Sequence, residues 1–429
     1  MPEPLPAAAA AADLAPGASA PARGLRPVLP VFAIVALDAS SAGAILSILP
    51  FLLLELGATP LVLGTVLGAE AFSQFVAAPL LGQLSDRYGR KTVLLTSQVG
   101  ALLSLALLGA AQNVLFVLAA RILLGLTAAS FAAAAAYAAD NSTPERRRQA
   151  IGLLSAGLGL GGIVGPSLAG YLSDVSLSAP IWAAIALSSA SVLVTALFVR
   201  GAAVPRRLAG HGGRDAALRD RTPLRALLGA PVIRVLVIVL LCHYFAYGLF
   251  SSQLAVFLRE TFTWNGHPFG PRELAYLLTA DGVINVVVQL VLLGWLGRRF
   301  TERGLVVGLL CLVALGYVTA GLAEGIGTLA FAVLCISGGV ALARPTFMAA
   351  LSVHVPRQRQ GVVMGAMQSL VAVTDIASPV LAGLILGFGL YGLWIGAAVA
   401  IALAGAVVAR TCLPRVDPAV DPDARAVRA

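Results

Sequence analysis

Six ionisable side chains stand inside long apolar runs of this sequence: Asp38, Glu70, Arg121, Asp281, Arg344 and Asp375. In lipid each such residue costs about 2.5–3.5 kcal/mol on insertion scales, so each is a candidate for function. A buried carboxyl can take up and release a proton, and a nearby arginine can hold it in its charged form. At about 1.5 Å per residue from the ends of the runs, Asp38 lies roughly 11 Å deep, Glu70 roughly 21 Å and Arg121 roughly 27 Å. Glu70 is therefore the expected direct partner of Arg121, with Asp38 reaching them through water. The same count places Asp281 and Asp375 at roughly 21–23 Å and Arg344 at roughly 10 Å. These three read equally as a structural ion pair and as part of a transport site. A further stretch holds His243, Tyr244, Phe245, Tyr247, Phe250 and Gln253. It suits either packing or the wall of a cavity for a flat, amphipathic ligand.

The elements that must position these groups follow from composition. Of 429 residues 59% are hydrophobic and 11% charged, which in water would leave large apolar patches exposed. A bilayer core about 30 Å thick takes roughly 20 apolar residues per helix, and strand-like alternation is missing. Apolar spans run over 31–54, 60–84, 92–111, 114–139, 150–172 and 180–199, then over 232–258, 274–296, 304–322, 326–351, 361–386 and 390–409. The expected fold is an all-α polytopic membrane protein, with twelve transmembrane helices in two six-helix pseudo-symmetric bundles. Its parts are a disordered cytoplasmic tail (1–29), a first bundle (30–199), a hydrophilic cytoplasmic linker (200–231), a second bundle (232–409) and a cytoplasmic tail (410–429). The Ala- and Pro-rich start lacks a basic segment ahead of an apolar core, which argues against a cleaved signal peptide.

The net charge of +9 belongs to topology rather than to nucleic acid. Of the 29 Lys and Arg residues, only Arg259 and Arg272 fall on the outside if both termini are cytoplasmic, with Arg121 and Arg344 inside spans. Cys242, Cys311, Cys335 and Cys412 are too scattered for a disulfide framework or a metal site. Neither metal nor cofactor is expected. A nucleophile, base and metal set is missing from the spans, so an enzyme or a sensor is disfavoured.

The halves also repeat each other. Gly82-Gln83-Leu84-Ser85-Asp86-Arg87-Tyr88-Gly89-Arg90-Lys91 returns in worn form as Gly294-Trp295-Leu296-Gly297-Arg298-Arg299-Phe300-Thr301-Glu302-Arg303. Gly165-Pro166-Ser167-Leu168-Ala169-Gly170 returns as Ser378-Pro379-Val380-Leu381-Ala382-Gly383. Such tandem repeats suggest a transporter that rocks one bundle against the other around a central site. Gly82 and Gly89 permit a tight turn and close backbone approach. Gly157, Gly161, Gly165 and Ala169 recur every fourth residue and give the fifth span one face small enough for close helix contact. Pro166 leaves the Gly162 carbonyl without its usual partner, so a bend is expected there.

The run from Gly82 to Lys91 resembles the loop signature of the major facilitator superfamily, and Gly161, Gly165, Pro166 and Gly170 resemble the antiporter motif of its drug exporters. Leu37-Asp38, Leu49-Pro50 and Arg359-Gln360-Gly361 extend the likeness to the tetracycline efflux subgroup of the drug:proton antiporter branch. The resemblance implies that the loop latches the bundles on the cytoplasmic side, Asp86 near the start of the eleventh span and Arg90 against Asp140, with Arg87 in the same signature. It also implies that Arg121, followed by Gly125, takes part in proton coupling with Asp38 and Glu70. Ser104 and Val313 stand where tetracycline pumps carry acids, and Asn285 where they carry a histidine, which argues against tetracycline itself as substrate. The expected function is proton-driven export of a hydrophobic drug-like or metabolite molecule by a monomer in the bacterial inner membrane. Its partners are a small-molecule substrate, protons and lipid. His243, Tyr244, Tyr247, Gln253, Asp281, Arg344 and Asp375 are the expected substrate cavity. The alternative is an uptake symporter or facilitator for a sugar or organic acid.

The arginine bias places the 200–231 linker in the cytoplasm. A reporter fused at Arg214 should be active when it requires the cytoplasm; activity only of a reporter that requires the periplasm would overturn the topology.

Overall fold

The computed structural model describes residues 28–143, 146–199, 231–355 and 360–414. The expected amino-terminal tail, almost all of the linker and most of the carboxyl-terminal tail lie outside the described residues, as does Arg359. Twelve helices are long and apolar enough to cross a membrane. They are α1 (Leu29–Glu55), α2 (Pro60–Tyr88), α3 (Arg90–Gly109), α4 (Val114–Asp140), α5 (Arg147–Leu172), α6 (Ala179–Phe198), α7 (Pro231–Ser251), α8 (Pro271–Arg299), α9 (Glu302–Gly321), α10 (Ile326–His354), α11 (Gln360–Gly387) and α12 (Tyr391–Cys412). Because the spans alternate in direction, the start of α1, the α2–α3 turn and the end of α12 share one face, called here the terminal face. The opposite one is the far face.

Local chemistry sets the helix ends. Thr59 and Asn113 cap α2 and α4 by accepting from Val62 N and Phe116 N, and Pro60 and Pro271 open α2 and α8. Gly89 turns α2 into α3 at φ +91°, a conformation that a side chain would strain.

Three spans expected to be continuous are interrupted. In α4 the helix stops at Leu126 and resumes at Ser130, where the Thr127 hydroxyl donates to the carbonyls of Leu123 and Leu124 and competes with the backbone ladder. In α7 the helix ends at Ser251 and a short helix, Leu254–Thr261, follows Gln253. In α8 a π-helical turn spans Val288–Leu292, with Gln289 Nε2 donating to Asn285 Oδ1 at 2.5 Å. At the far face the chain also forms a small antiparallel hairpin, pairing Thr263 with Pro268 and Trp264 with His267. Asn265 and Gly266 turn it at φ 48° and 87°, as a two-residue hairpin loop requires.

Toward the terminal face each bundle has its own apolar cluster, and in the far half one cluster runs across both, from Ile48 and Leu63 to Phe250 and Trp394. In the second bundle Phe250 stacks on Trp394 at 5.0 Å and tilts against Tyr317 at 4.5 Å, while Trp394 Nε1 donates to the Leu249 carbonyl. The bundles meet through two pseudo-symmetric helix pairs, α5 with α8 and α2 with α11. A Cβ on Gly170 would lie 2.6 Å from that of Ala275, and one on Gly282 would lie 2.8 Å from the Gly162 carbonyl oxygen. The carbonyl released by Pro166 is thus pressed onto the α8 backbone. In the other pair, a Cβ on Gly64 would overlap the Pro379 carbonyl, and one on Gly383 would overlap that of Pro60. Around these contacts Ser167 and Thr279 share a hydrogen bond, Gln253 donates to the Pro60 carbonyl, and Arg272 pairs with Asp174 at 2.8 Å. All of these join the bundles in the far half.

Toward the terminal face the same helices part. Gly152 in α5, Gly294 and Gly297 in α8 and Gly365 in α11 have open space where a side chain would begin. Leu84, Leu290 and Val291 are exposed. The cleft between the bundles is closed at the far face and open at the terminal face.

A methyl group at Gly64 overpacks the closed far face at a cost of about 1–3 kcal/mol. Gly64→Ala should therefore reduce transport by about tenfold or more, at about 1.4 kcal/mol per factor of ten. It should also raise thiol labelling at far-face positions, whereas Gly152→Ala should leave both unchanged. Equal transport by Gly64→Ala and the unaltered chain would contradict this account of closure.

Candidate functional site

The first bundle holds a buried ion pair. Arg121 on α4 meets Glu70 on α2 at 2.5 Å, with the arginine side chain only 9% exposed. The local sequence explains the contact. Gly125, one turn beyond Arg121, has no side chain because a Cβ there would overlap the Glu70 carbonyl and lie 2.9 Å from Ser73 Cβ. The glycine lets α4 settle on α2 at the level of Glu70, and the guanidinium then spans the remaining gap. Charges buried in such surroundings persist when they are paired.

Asp38 stands apart from that pair. The side chains facing it are Ser191 on α6, Gln98 on α3 and Ser130 at the restart of α4. Gln98 Nε2 donates to Ser191 Oγ at 2.7 Å, and the Ser191 hydroxyl reaches back to the Ile34 carbonyl at 3.5 Å. Two acceptors of this group, Asp38 Oδ2 and Gln98 Oε1, are buried without a hydrogen-bond partner. Gln98, Ser130 and Ser191 were not among the residues expected at this site. A glutamine within an apolar span was the available signal, since an amide in lipid must find a partner.

The fifth-span motif divides between two neighbours. Gly161 and Gly165 face α1, where a Cβ would overlap Ala39 and the Ser40 carbonyl, and the Pro166 ring lies against Gly43. Gly170 faces α8 instead. One helix therefore couples the helix bearing Asp38 to the opposite bundle.

At the terminal face Arg90 binds Asp86 at 2.6 Å and Asp140 at 3.2 Å, and also donates to Ser85 Oγ. These exposed pairs are worth about 0–1 kcal/mol each. They hold the α2–α3 turn to the end of α4, within one bundle. Arg87 is exposed, its guanidinium 5.3 Å from the centre of the Tyr88 ring. Asp86 is engaged by Arg90 of its own loop, and Gly82 has nothing within 4 Å of its Cβ position. The side chains at the start of α11, the expected neighbours of Asp86, lie outside the described residues.

In the second bundle Asp281 on α8 faces Ser337 on α10. Tyr247 lies within electrostatic reach of Asp281 and Asp375, and Tyr244 within reach of Arg344 and Asp375. The fold thus gathers Tyr244, Tyr247, Asp281, Arg344 and Asp375. It does not place His243 or Gln253 on a cavity wall. His243 is 1% exposed and packs against the rings of Tyr244 and Phe347. Gln253 is fully buried in the far-face closure. Their polar character had suggested a lining, but both side chains are buried among their neighbours. Among the described residues no three His, Cys, Asp or Glu side chains gather as a metal site.

Comparison with known proteins agrees in one direction. The sequence profile of the Major Facilitator Superfamily matches residues 31–379 and 271–428. The chain is 30% identical to the class C tetracycline resistance protein of Escherichia coli over 81% of its own length and 86% of that protein's. It is 31% identical to the class G tetracycline resistance protein of Vibrio anguillarum, with coverage of 89% and 94%. Among solved structures it resembles the human organic anion transporter MFSD10 (TETRAN) with a TM-score of 0.63 and 22% identity, covering 90% of this chain and 99% of that one, a likeness of fold.

Removing one partner of a buried pair costs about 3–5 kcal/mol, because the other charge is stranded. Arg121→Gln and Glu70→Gln should each lower the thermal unfolding temperature markedly, and the double variant should recover much of the loss. If the two losses add, the pair is not energetically coupled.

Proposed function

The chain belongs to the Major Facilitator Superfamily, and we infer that it is a proton-coupled efflux transporter, exporting a hydrophobic, drug-like compound by alternating access. The observation that carries this reading is a two-bundle cleft, closed at the far face, whose first bundle buries Asp38 and the Glu70–Arg121 pair. Relatives that share most of its length are named for tetracycline resistance. Ser104, which donates to the Ala120 carbonyl, and Val313, buried in the second bundle, are the positions at which the resemblance to the tetracycline efflux subgroup implies acids. The substrate proposed is accordingly another drug-like or metabolite molecule.

In the mechanism proposed, the terminal face is cytoplasmic, and substrate enters the cleft between the bundles from that side. Tyr244, Tyr247, Asp281, Arg344 and Asp375 offer it aromatic faces and both signs of charge. The chain works as a monomer and carries out no covalent chemistry. Rocking then breaks the Arg272–Asp174, Gln253–Pro60 and Ser167–Thr279 contacts at the far face and closes the terminal face, where Asp86 and Arg90 are poised to meet the second bundle. Asp38 takes a proton while the cleft faces the acidic outside and gives it up while the cleft faces the cytoplasm. Glu70 and Arg121 take part in this coupling by tying the charge of α2 to that of α4. A modest change of environment suffices, since a tenfold difference in proton affinity is worth about 1.4 kcal/mol.

Asp38→Asn should abolish uphill export from vesicles and substrate-induced proton release while leaving the protein expressed. Normal uphill pumping of a neutral substrate by this variant would remove Asp38 from coupling.

A further inference from the structure

The seam between α5 and α8 is a ladder of mostly small residues with a regular register. Gly170 meets Ala275, Ser167 meets Thr279, Gly162 and Ile163 meet Gly282, and Gly159 meets Val286. Each rung steps about one turn along both antiparallel helices. The next rung would set Ser155 against Leu290, and it is not made: Ser155 is exposed and Leu290 is 80% exposed. The seam ends where α8 enters its π-helical turn, Val288–Leu292. Such turns recur at functional sites.

Beside the parted seam α8 has a buried side and a lipid side. Leu274, Leu277 and Val288 are buried, while Tyr276, Val283, Val287 and Val291 form an exposed, largely apolar stripe. Asn285 and Gln289 lie on neither. With Asp281 they recur every fourth residue, and four residues overshoot a helical turn by about 40°. The polar stripe therefore winds from the interior toward the α5 side as it descends to the open end of the cleft. Polar groups in a membrane span face a bundle interior or a water-filled cavity. The exposure of Gln289 and the partial exposure of Asn285 put this pair on the cleft. Gln289 Nε2 donates to Asn285 Oδ1, which uses one hydrogen of the two amides. The remaining N–H groups and the Gln289 carbonyl have no protein partner among the described residues. Turning both amides over leaves the same offer of donors beside an acceptor. Across the gap Ser155 spends its hydrogen on the Ile151 carbonyl and keeps its lone pairs.

We propose that Asn285 and Gln289 form a substrate subsite for an uncharged carboxamide carried on a flat apolar molecule, with Ser155 as a further acceptor. This rests on the reading of the chain as an exporter whose cleft opens to the cytoplasm, and it narrows the substrate. A carboxamide holds N–H and C=O side by side, as the pair does, so two hydrogen bonds can form at once. A carboxylate or an ammonium brings a charge that two amides do not neutralise, and Asp281 or Arg344 suits it better. The apolar part of the molecule lies against Leu290, in the gap left by the parted seam. When the terminal face closes, Ser155 and Leu290 complete the ladder and the gap is lost. The bound group then passes up the polar stripe toward Asp281.

The test uses a fluorescent naphthalene carboxamide and its methyl ester, which keeps the carbonyl and the shape but lacks the donor. Equilibrium binding is measured to the full chain in lipid nanodiscs, with binding to empty discs subtracted. The carboxamide should bind about tenfold more tightly than the ester, and Asn285→Leu and Gln289→Leu should each bring the two within about twofold. Val287→Leu, on the lipid side, should keep the preference. Binding of neither probe, equal affinity for both, a preference that survives both leucine variants, or one lost equally in Val287→Leu would overturn the subsite. If a leucine variant does not fold, Asn285→Ala or Gln289→Ala is held to the same criterion. Export is judged separately, by uptake of the carboxamide into inside-out vesicles made acidic inside. A carboxamide preference without uphill uptake would overturn proton-driven export and leave the subsite standing.

Discussion

Lipid tails are as apolar as leucine, so helices in a bilayer gain little from burying side chains against one another and are held by the close approach of their backbones. The two bundles here depend on that approach. Gly64 and Gly383 bring α2 and α11 together, and Gly170 and Gly282 do the same for α5 and α8. The two seams are related by the internal repeat, and each contains a mid-helix proline, Pro166 or Pro379. Proline in a helix frees a carbonyl, and a freed carbonyl in lipid needs a neighbour. Gly282, without a side chain, lets the α8 backbone come up against the Gly162 oxygen. The closing surface is therefore built of small residues and exposed backbone, which can separate without stranding large side chains.

Charge is distributed to suit that movement. The strongest pair, Glu70 with Arg121, is buried within the first bundle and stays together as the bundle turns. Asp38 is kept away from it and is surrounded by hydroxyls and an amide. Neutral donors and acceptors can adjust to either charge state by rotating, whereas a fixed arginine would favour one. The separation leaves one carboxyl free to change charge beside another that is held.

The contacts that must be made and broken are weak ones. Arg272 with Asp174 at the far face is half-exposed, and Arg90 with Asp86 and Asp140 at the terminal face is exposed on its acidic side. Solvated pairs contribute about 0–1 kcal/mol. Such pairs set orientation and register while leaving the energy difference between the two arrangements small, as a rocking transporter requires.

By itself the sequence determined the twelve spans, the repeat of the halves and the pairing of Glu70 with Arg121. Hydrophobic length and residue depth are one-dimensional quantities, and lipid leaves helices as the spanning element. The family was legible in the spacing from Gly82 to Lys91 and from Gly161 to Gly170. Which side each glycine faces was decided only by tertiary structure, since Gly161 and Gly170 lie in one motif yet touch different bundles. So were the breaks at Thr127 and Gln253, where side-chain bonds override an apolar run, and the inward turn of His243 and Gln253 away from the cleft. The surroundings of Asp38 were least accessible of all. They are assembled from α3, α4 and α6, three helices with no shared sequence pattern, and only their packing brings Gln98, Ser130 and Ser191 to one carboxyl.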